Sequence, residues 1–155
     1  MTIEDDIAFF ERVPTLSLLG RQALRILAIG AQTRYVHGGE VLYNAGDEAD
    51  GGFVIQEGRF NLAPAASEED GKAVVVGPHT LLGEVALFTE SKRAATATAL
   101  EPSSVLLVPR PLFLKMLDSF PDSARKLRDI FAGRLNQSTR EIYNLRAVLD
   151  AYERK

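Results

Sequence analysis

Cysteine is absent from the 155 residues, which excludes disulfides, thiol nucleophiles, iron–sulfur clusters and every cysteine-containing zinc site. Histidine is scarce. His37 and His79 are the only two, too few for a three-histidine catalytic centre and outside any paired-histidine spacing. Both read as surface or turn residues, and metal chemistry would have to rest on carboxylates. Long apolar runs are missing as well: Ile7–Phe10, Ile26–Ile29 and Val105–Val108 reach about four residues, far below the roughly 20 of a spanning helix. No membrane partner is expected. The start, Met1-Thr-Ile-Glu-Asp-Asp, is acidic where a secretory leader is basic and then apolar, so a cytoplasmic location is expected.

What remains is an ordinary globular composition, 46% hydrophobic, 25% charged and 8% aromatic, which argues against disorder and collagen. The length fits one domain, residues 1–155, burying about 70% of its unfolded surface. A net charge of −3 conceals an asymmetry: residues 121–155 carry eight basic side chains against five acidic ones, and the rest is correspondingly acidic. Nothing in this balance points to nucleic acid as a direct partner.

Periodicity divides the chain in three. Residues 1–30 read as N-terminal helices, with Thr2 capping a first turn rich in Glu4, Asp5 and Asp6, helical spacing of Leu16, Leu19, Ala23, Leu24 and Leu27, and Gly30 at the end. Residues 31–109 alternate short β-branched or aromatic runs with glycines. Strands are predicted at Thr33–Val36, Val41–Tyr43, Phe53–Gln56, Phe60–Ala63, Lys72–Val76, Ala95–Ala99 and Ser104–Val108, the spacing of a small sandwich or barrel. Pro64–Gly71 reads as an exposed hairpin loop. Residues 110–155 return to helix: Pro111 suits a first turn, and Ser119-Phe120-Pro121 breaks a short helix before a long one. On the long helix Phe131, Leu135, Ser138, Ile142, Leu145, Leu149 and Tyr152 form a 3.5-residue seam, either laid on the chain's own β region or shared with a second copy.

The chemistry concentrates in Leu82–Ala97. Glu84-Val-Ala-Leu-Phe88 is compatible with one helical turn directly after Gly83, a geometry that presents backbone N–H groups to an anion. Nine residues on, Arg93 offers a planar fork of donors suited to phosphate, and the small Ala94 and Ala95 leave space beside it. A carboxylate beside a phosphate needs a compensating donor. An ionised Glu84 only accepts hydrogen bonds, so it fits a ligand whose hydroxyl adjoins the phosphate, as in a ribose 3',5'-cyclic phosphate. On spacing alone a plainer alternative stays open, with Gly-Glu as a turn and Arg93 as a solvated charge.

Gly83-Glu84-Val85-Ala86-Leu87 followed by Arg93-Ala94-Ala95 resembles the phosphate-binding cassette, residues 83–95 here, of cyclic nucleotide-binding domains. That family includes the catabolite activator protein, regulatory subunits of cyclic AMP-dependent kinase and nucleotide-gated channels. Gly46-Asp47-Glu48-Ala49-Asp50 and Phe53–Gly58 resemble the family's glycine-aspartate turn and following strand. The resemblance implies a mainly β fold with flanking helices (α+β): a jelly-roll, or double-stranded β-helix, β roll with N-terminal helices and a long C-terminal helix. It implies that Glu84 accepts from the ribose 2'-hydroxyl and Arg93 pairs with the cyclic phosphate. By the same resemblance, backbone groups of Gly83, Val85, Ala86 and Ala94 would complete the cradle. Two departures stand out: Lys92 replaces the usual proline, and Gly52 sits where a hydrophobic residue is common.

Ala94 stands where many cyclic GMP-selective members carry a hydroxyl, which favours cyclic AMP and leaves cyclic GMP as the alternative. Residues 134–150 resemble the activator's dimer helix, and by that resemblance Ser138 and Thr139 contact the adenine amino group; otherwise Ser138 is a tolerated polar residue. The activator's helix-turn-helix domain has no counterpart before Lys155, so direct DNA reading is not expected. The expected protein is a stand-alone cyclic nucleotide receptor, non-enzymatic and without cofactor or metal. It would form a homodimer through the C-terminal helix, shift its C-terminal helices on binding and signal to an unknown protein partner. A ligand-independent dimerising or docking scaffold of the same fold, and an enzyme on a similar roll, are the rivals.

Overall fold

The computed structural model describes residues 2–64 and 73–132, the last two by backbone alone. Helix α1 (Ile3–Phe10) opens with a reciprocal capping box: the Thr2 hydroxyl accepts from the Asp5 amide at 3.1 Å, and the Asp5 carboxylate accepts from the Thr2 amide at 3.1 Å. That arrangement satisfies two N–H groups left unbonded at a helix start. A 3-10 turn, Leu16–Leu18, follows Pro14, and α2 (Arg21–Gly30) ends at the glycine that the sequence marks.

Among the described residues ten strands follow: β1 (Gln32–Val36), β2 (Val41–Tyr43), β3 (Glu48–Ala49), β4 (Gly51–Glu57), β5 (Phe60–Pro64), β6 (Val74–Val76), β7 (Leu81–Leu82), β8 (Ser91–Lys92), β9 (Ala95–Ala99) and β10 (Ser103–Pro109). All pairings are antiparallel. One sheet runs β1-β10-β4-β7, a second β2-β9-β5-β6, and β3 pairs with β8 alone. This is the mainly β architecture with flanking helices that the sequence predicts. Three two-residue strands (β3, β7 and β8) were not foreseen. Pro64 belongs to β5, opposite Ala95, rather than to the loop, because a proline at a strand end gives up no ladder bond it needs. The remainder of that loop, and Lys72, lie outside the described residues.

Alternation along β4 and β10 places the two cores. Phe53, Ile55, Val105 and Leu107 point into the roll with Phe60, Ala97 and Ala99, while Val54, Leu106 and Val108 face the helices, where Phe10, Leu24, Leu27 and Phe113 pack. After β10, α3 (Arg110–Ser119) carries Pro111 in its first turn. The chain breaks at Phe120, and α4 (Pro121–Ala132) begins. The Ser123 hydroxyl donates to the Leu19 carbonyl at 2.9 Å, fastening α4 to the N-terminal segment. The predicted seam beyond Ala132, with Ser138 and Thr139, lies outside the described residues, as does the Phe131 side chain. Among the described residues no helix is long and apolar enough to cross a membrane.

Candidate functional site

A cavity of about 410 Å³, within the size range of small-molecule sites, is lined by residues of β2, β3, β5, β7, β8 and the segments around them. Gly83, Glu84, Val85, Ala86, Arg93, Ala94 and Ala95 all line it, so the structure brings the seven described residues of the expected ligand site into one place. Local hydrogen bonding explains how. The turn that leads into β3 holds both backbone groups of Arg93: its N–H donates to Asp47 O at 2.8 Å and its carbonyl accepts from Gly46 N at 2.8 Å. On the facing wall a 3-10 turn, Val85–Leu87, follows Glu84. The Ala86 amide donates to Gly83 O at 3.0 Å and is therefore engaged inside that turn.

Arg93 is 6% exposed. Its Nη2 donates to Gly51 O at 2.8 Å, and its guanidinium carbon lies 4.6 Å from the centre of the Tyr43 ring and 5.1 Å from that of Phe53, within cation–π range. The Asp50 carboxylate stands 4.0 Å away and is largely exposed, so it contributes little. Nη1 is buried without a hydrogen-bond partner among the described residues. Burial pushes the guanidinium below its ordinary range; Tyr43, Asp50 and Asp47 push it back up, and Arg110 lowers it further. Burial likewise pushes the Tyr43 phenol up, against the pull of Arg93. A cation stripped of water and incompletely hydrogen-bonded is an anion site in the making.

Gly83 makes that geometry possible. Its φ is +86°, and a Cβ there would sit 2.2 Å from Arg93 Nη1. Glu84 is half-buried, and its Oε2 accepts from the Thr15 hydroxyl at 2.5 Å. Lys92, the substituted proline position, is exposed at the cavity wall and lies opposite Glu48 in the β3–β8 backbone register. Gly52, the second departure, has a steric reason: a Cβ would lie 3.1 Å from the Leu87 side chain and 3.2 Å from that of Leu81. Arg110 ties α3 to the site, donating through Nε to Ala86 O at 3.0 Å and through Nη2 to Ala49 O. Sequence reasoning missed Thr15, Tyr43, Phe53 and Arg110. Only the aromatic content of β2 and β4 hinted at the ring bracket. No group of three or more histidine or acidic side chains among the described residues is placed to hold a metal.

Residues 33–120 match the family described as Cyclic nucleotide-binding domain. A lysophospholipase nte1 from Aspergillus oryzae is 32% identical over 122 residues, which is 77% of this chain and 8% of the relative. The chain thus spans under a tenth of that protein's length. Among solved structures, a cyclic nucleotide-binding-like protein from Brucella abortus superposes with a TM-score of 0.64 at 30% identity, over 74% of this chain and 98% of that one. The N-terminal domain of a transcriptional regulator from Streptomyces coelicolor superposes with a TM-score of 0.71 at 29% identity, covering 83% and 91%.

Proposed function

The chain belongs to the cyclic nucleotide-binding domain family, and from that premise we propose that it is a regulatory receptor domain that binds cyclic AMP in preference to cyclic GMP. One observation carries the proposal: a buried arginine, its Nη1 packed against Gly83 without a partner among the described residues, lines the same cavity as Glu84. Arg93 pairs with the cyclic phosphate. Glu84 accepts from the 2'-hydroxyl, which offsets the repulsion between two negative groups. The backbone amides of Gly83, Val85, Ala86 and Ala94 complete the phosphate cradle, Ala86 by exchanging its bond to Gly83, and Ala95 leaves room. Ser138 and Thr139 reach the adenine.

No step in this function makes or breaks a covalent bond, so the domain is a sensor, without cofactor, and the reaction named for the longer fungal relative is not carried over. Binding shifts the C-terminal helices because Arg110 at the head of α3 grips the carbonyl of Ala86 inside the cassette; contacts made in only one helix position bias the equilibrium toward it. Output passes to a second copy through the C-terminal helix and to a downstream protein, in the cytoplasm and without direct contact to nucleic acid or membrane.

Calorimetric titration of the 155-residue chain with cyclic AMP and cyclic GMP tests the proposal. Arg93→Ala is expected to weaken cyclic AMP binding about 10- to 150-fold, corresponding to roughly 1.5–3 kcal/mol for a charge-assisted hydrogen bond. No heat with either nucleotide on the unaltered chain would reject the receptor and leave the docking scaffold. Stronger binding of cyclic GMP would overturn the base preference alone.

A further inference from the structure

We propose that Thr15, in the N-terminal segment, is a positioning residue that sets the Glu84 carboxylate for a sugar hydroxyl, making the helical layer part of the ligand's specificity. This rests on the receptor reading above and deepens it.

Thr15 and Glu84 are 69 positions apart, yet the Thr15 Oγ1 donates to Glu84 Oε2 at 2.5 Å. Thr15 is 6% exposed, so this is no solvated surface contact. The segment carrying it is anchored on both sides. Val13 and Leu16 are fully buried, Ser17 N donates to Val13 O at 2.8 Å, and Leu19, four residues beyond Thr15, is held at its carbonyl by Ser123 of α4. Threonine is itself stiff about χ1 because its Cβ is branched. The hydroxyl therefore reaches Glu84 from a fixed point.

A carboxylate on a glutamate side chain has three torsions to lose, and its terminal one is broad. A donor on one oxygen removes that freedom before any ligand arrives. An ionised carboxylate offers about four acceptor sites, and the Thr15 hydroxyl takes one. A sugar hydroxyl takes another, on a group already aimed. The consequence is confined to ligands that have the hydroxyl, since only they use Glu84.

The test is calorimetry of the full chain and its Thr15→Val and Thr15→Ser variants with two probes, cyclic AMP and 2'-deoxy cyclic AMP. Valine keeps the shape and removes the donor. The expected result is about tenfold weaker binding of cyclic AMP by Thr15→Val, the equivalent of about one hydrogen bond to a charged group. Binding of the 2'-deoxy probe is expected to stay unchanged, so that the preference for the 2'-hydroxyl falls about tenfold. Thr15→Ser should restore that preference. Should valine not fit the site, Thr15→Ala reads the same ratio. Equal losses for both probes would assign Thr15 a packing role and overturn the inference, as would an unchanged ratio. Failure of the unaltered chain to bind either probe would instead overturn the receptor reading, and this inference with it.

Discussion

At the scale of single residues, Gly83 shows how narrowly the cavity is specified. Its φ of +86° lies in the left-handed region, and a methyl group there would meet the far end of the Arg93 side chain at 2.2 Å. The collision is relieved by moving the guanidinium, which a buried arginine cannot do without leaving its Gly51 acceptor. Gly83→Ala is expected to lose about 1–2 kcal/mol from the backbone, lowering the melting temperature by about 2–8 °C. Nucleotide binding should suffer more than the fold. Melting and titration measured side by side check this, and an alanine variant of undiminished affinity would show that Arg93 does not need its present place. Glu84 and Arg93 were legible in the sequence because their chemistry is compressed into ten neighbouring residues. Thr15, Tyr43 and Phe53 were not, because each reaches the site only through closure of the fold and none belongs to a local pattern.

At the scale of elements, α4 depends on contacts supplied from the opposite end of the chain. The Ser123 hydroxyl is buried and bonded to the Leu19 carbonyl 104 positions away, while Ala124 and Leu127 are fully buried among the N-terminal apolar side chains. Ser123→Ala is expected to cost about 1 kcal/mol. Hydrogen exchange of the amides of residues 122–132 should quicken several-fold, with the β10 amides unaffected; uniform acceleration would mean that the bond supports the whole molecule rather than one helix. Strands of three residues or more were readable from their β-branched and aromatic content: the predictions for Val41–Tyr43 and Ala95–Ala99 coincide with β2 and β9. Glu48–Ala49, Leu81–Leu82 and Ser91–Lys92 were not readable. A two-residue strand has no period, and it exists only because a partner backbone lies alongside. The helix boundaries at Gly30, Pro111 and Phe120 were readable because glycine and proline act on the backbone directly.

At the scale of the molecule, the sheet β1-β10-β4-β7 separates two apolar interiors, one shared with the helices and one inside the roll. A ligand that binds only the folded chain stabilises both together. At 100 times its dissociation constant it adds about 2.7 kcal/mol, which for a chain of this length raises the melting temperature by about 5–10 °C. A thermal melt with cyclic AMP should reproduce that shift, cyclic GMP should give a smaller one, and Arg93→Ala should abolish most of both. A shift retained by the Arg93 variant would move the binding site elsewhere.

The clasp on Arg93 has one more consequence. Two aromatic rings and the Gly51 carbonyl hold the guanidinium still from the moment the chain folds, so its rotameric disorder has already been surrendered when an anion arrives. The remaining entropic loss at that wall falls on the incoming molecule, and recognition there works like a rigid mould rather than a closing hand.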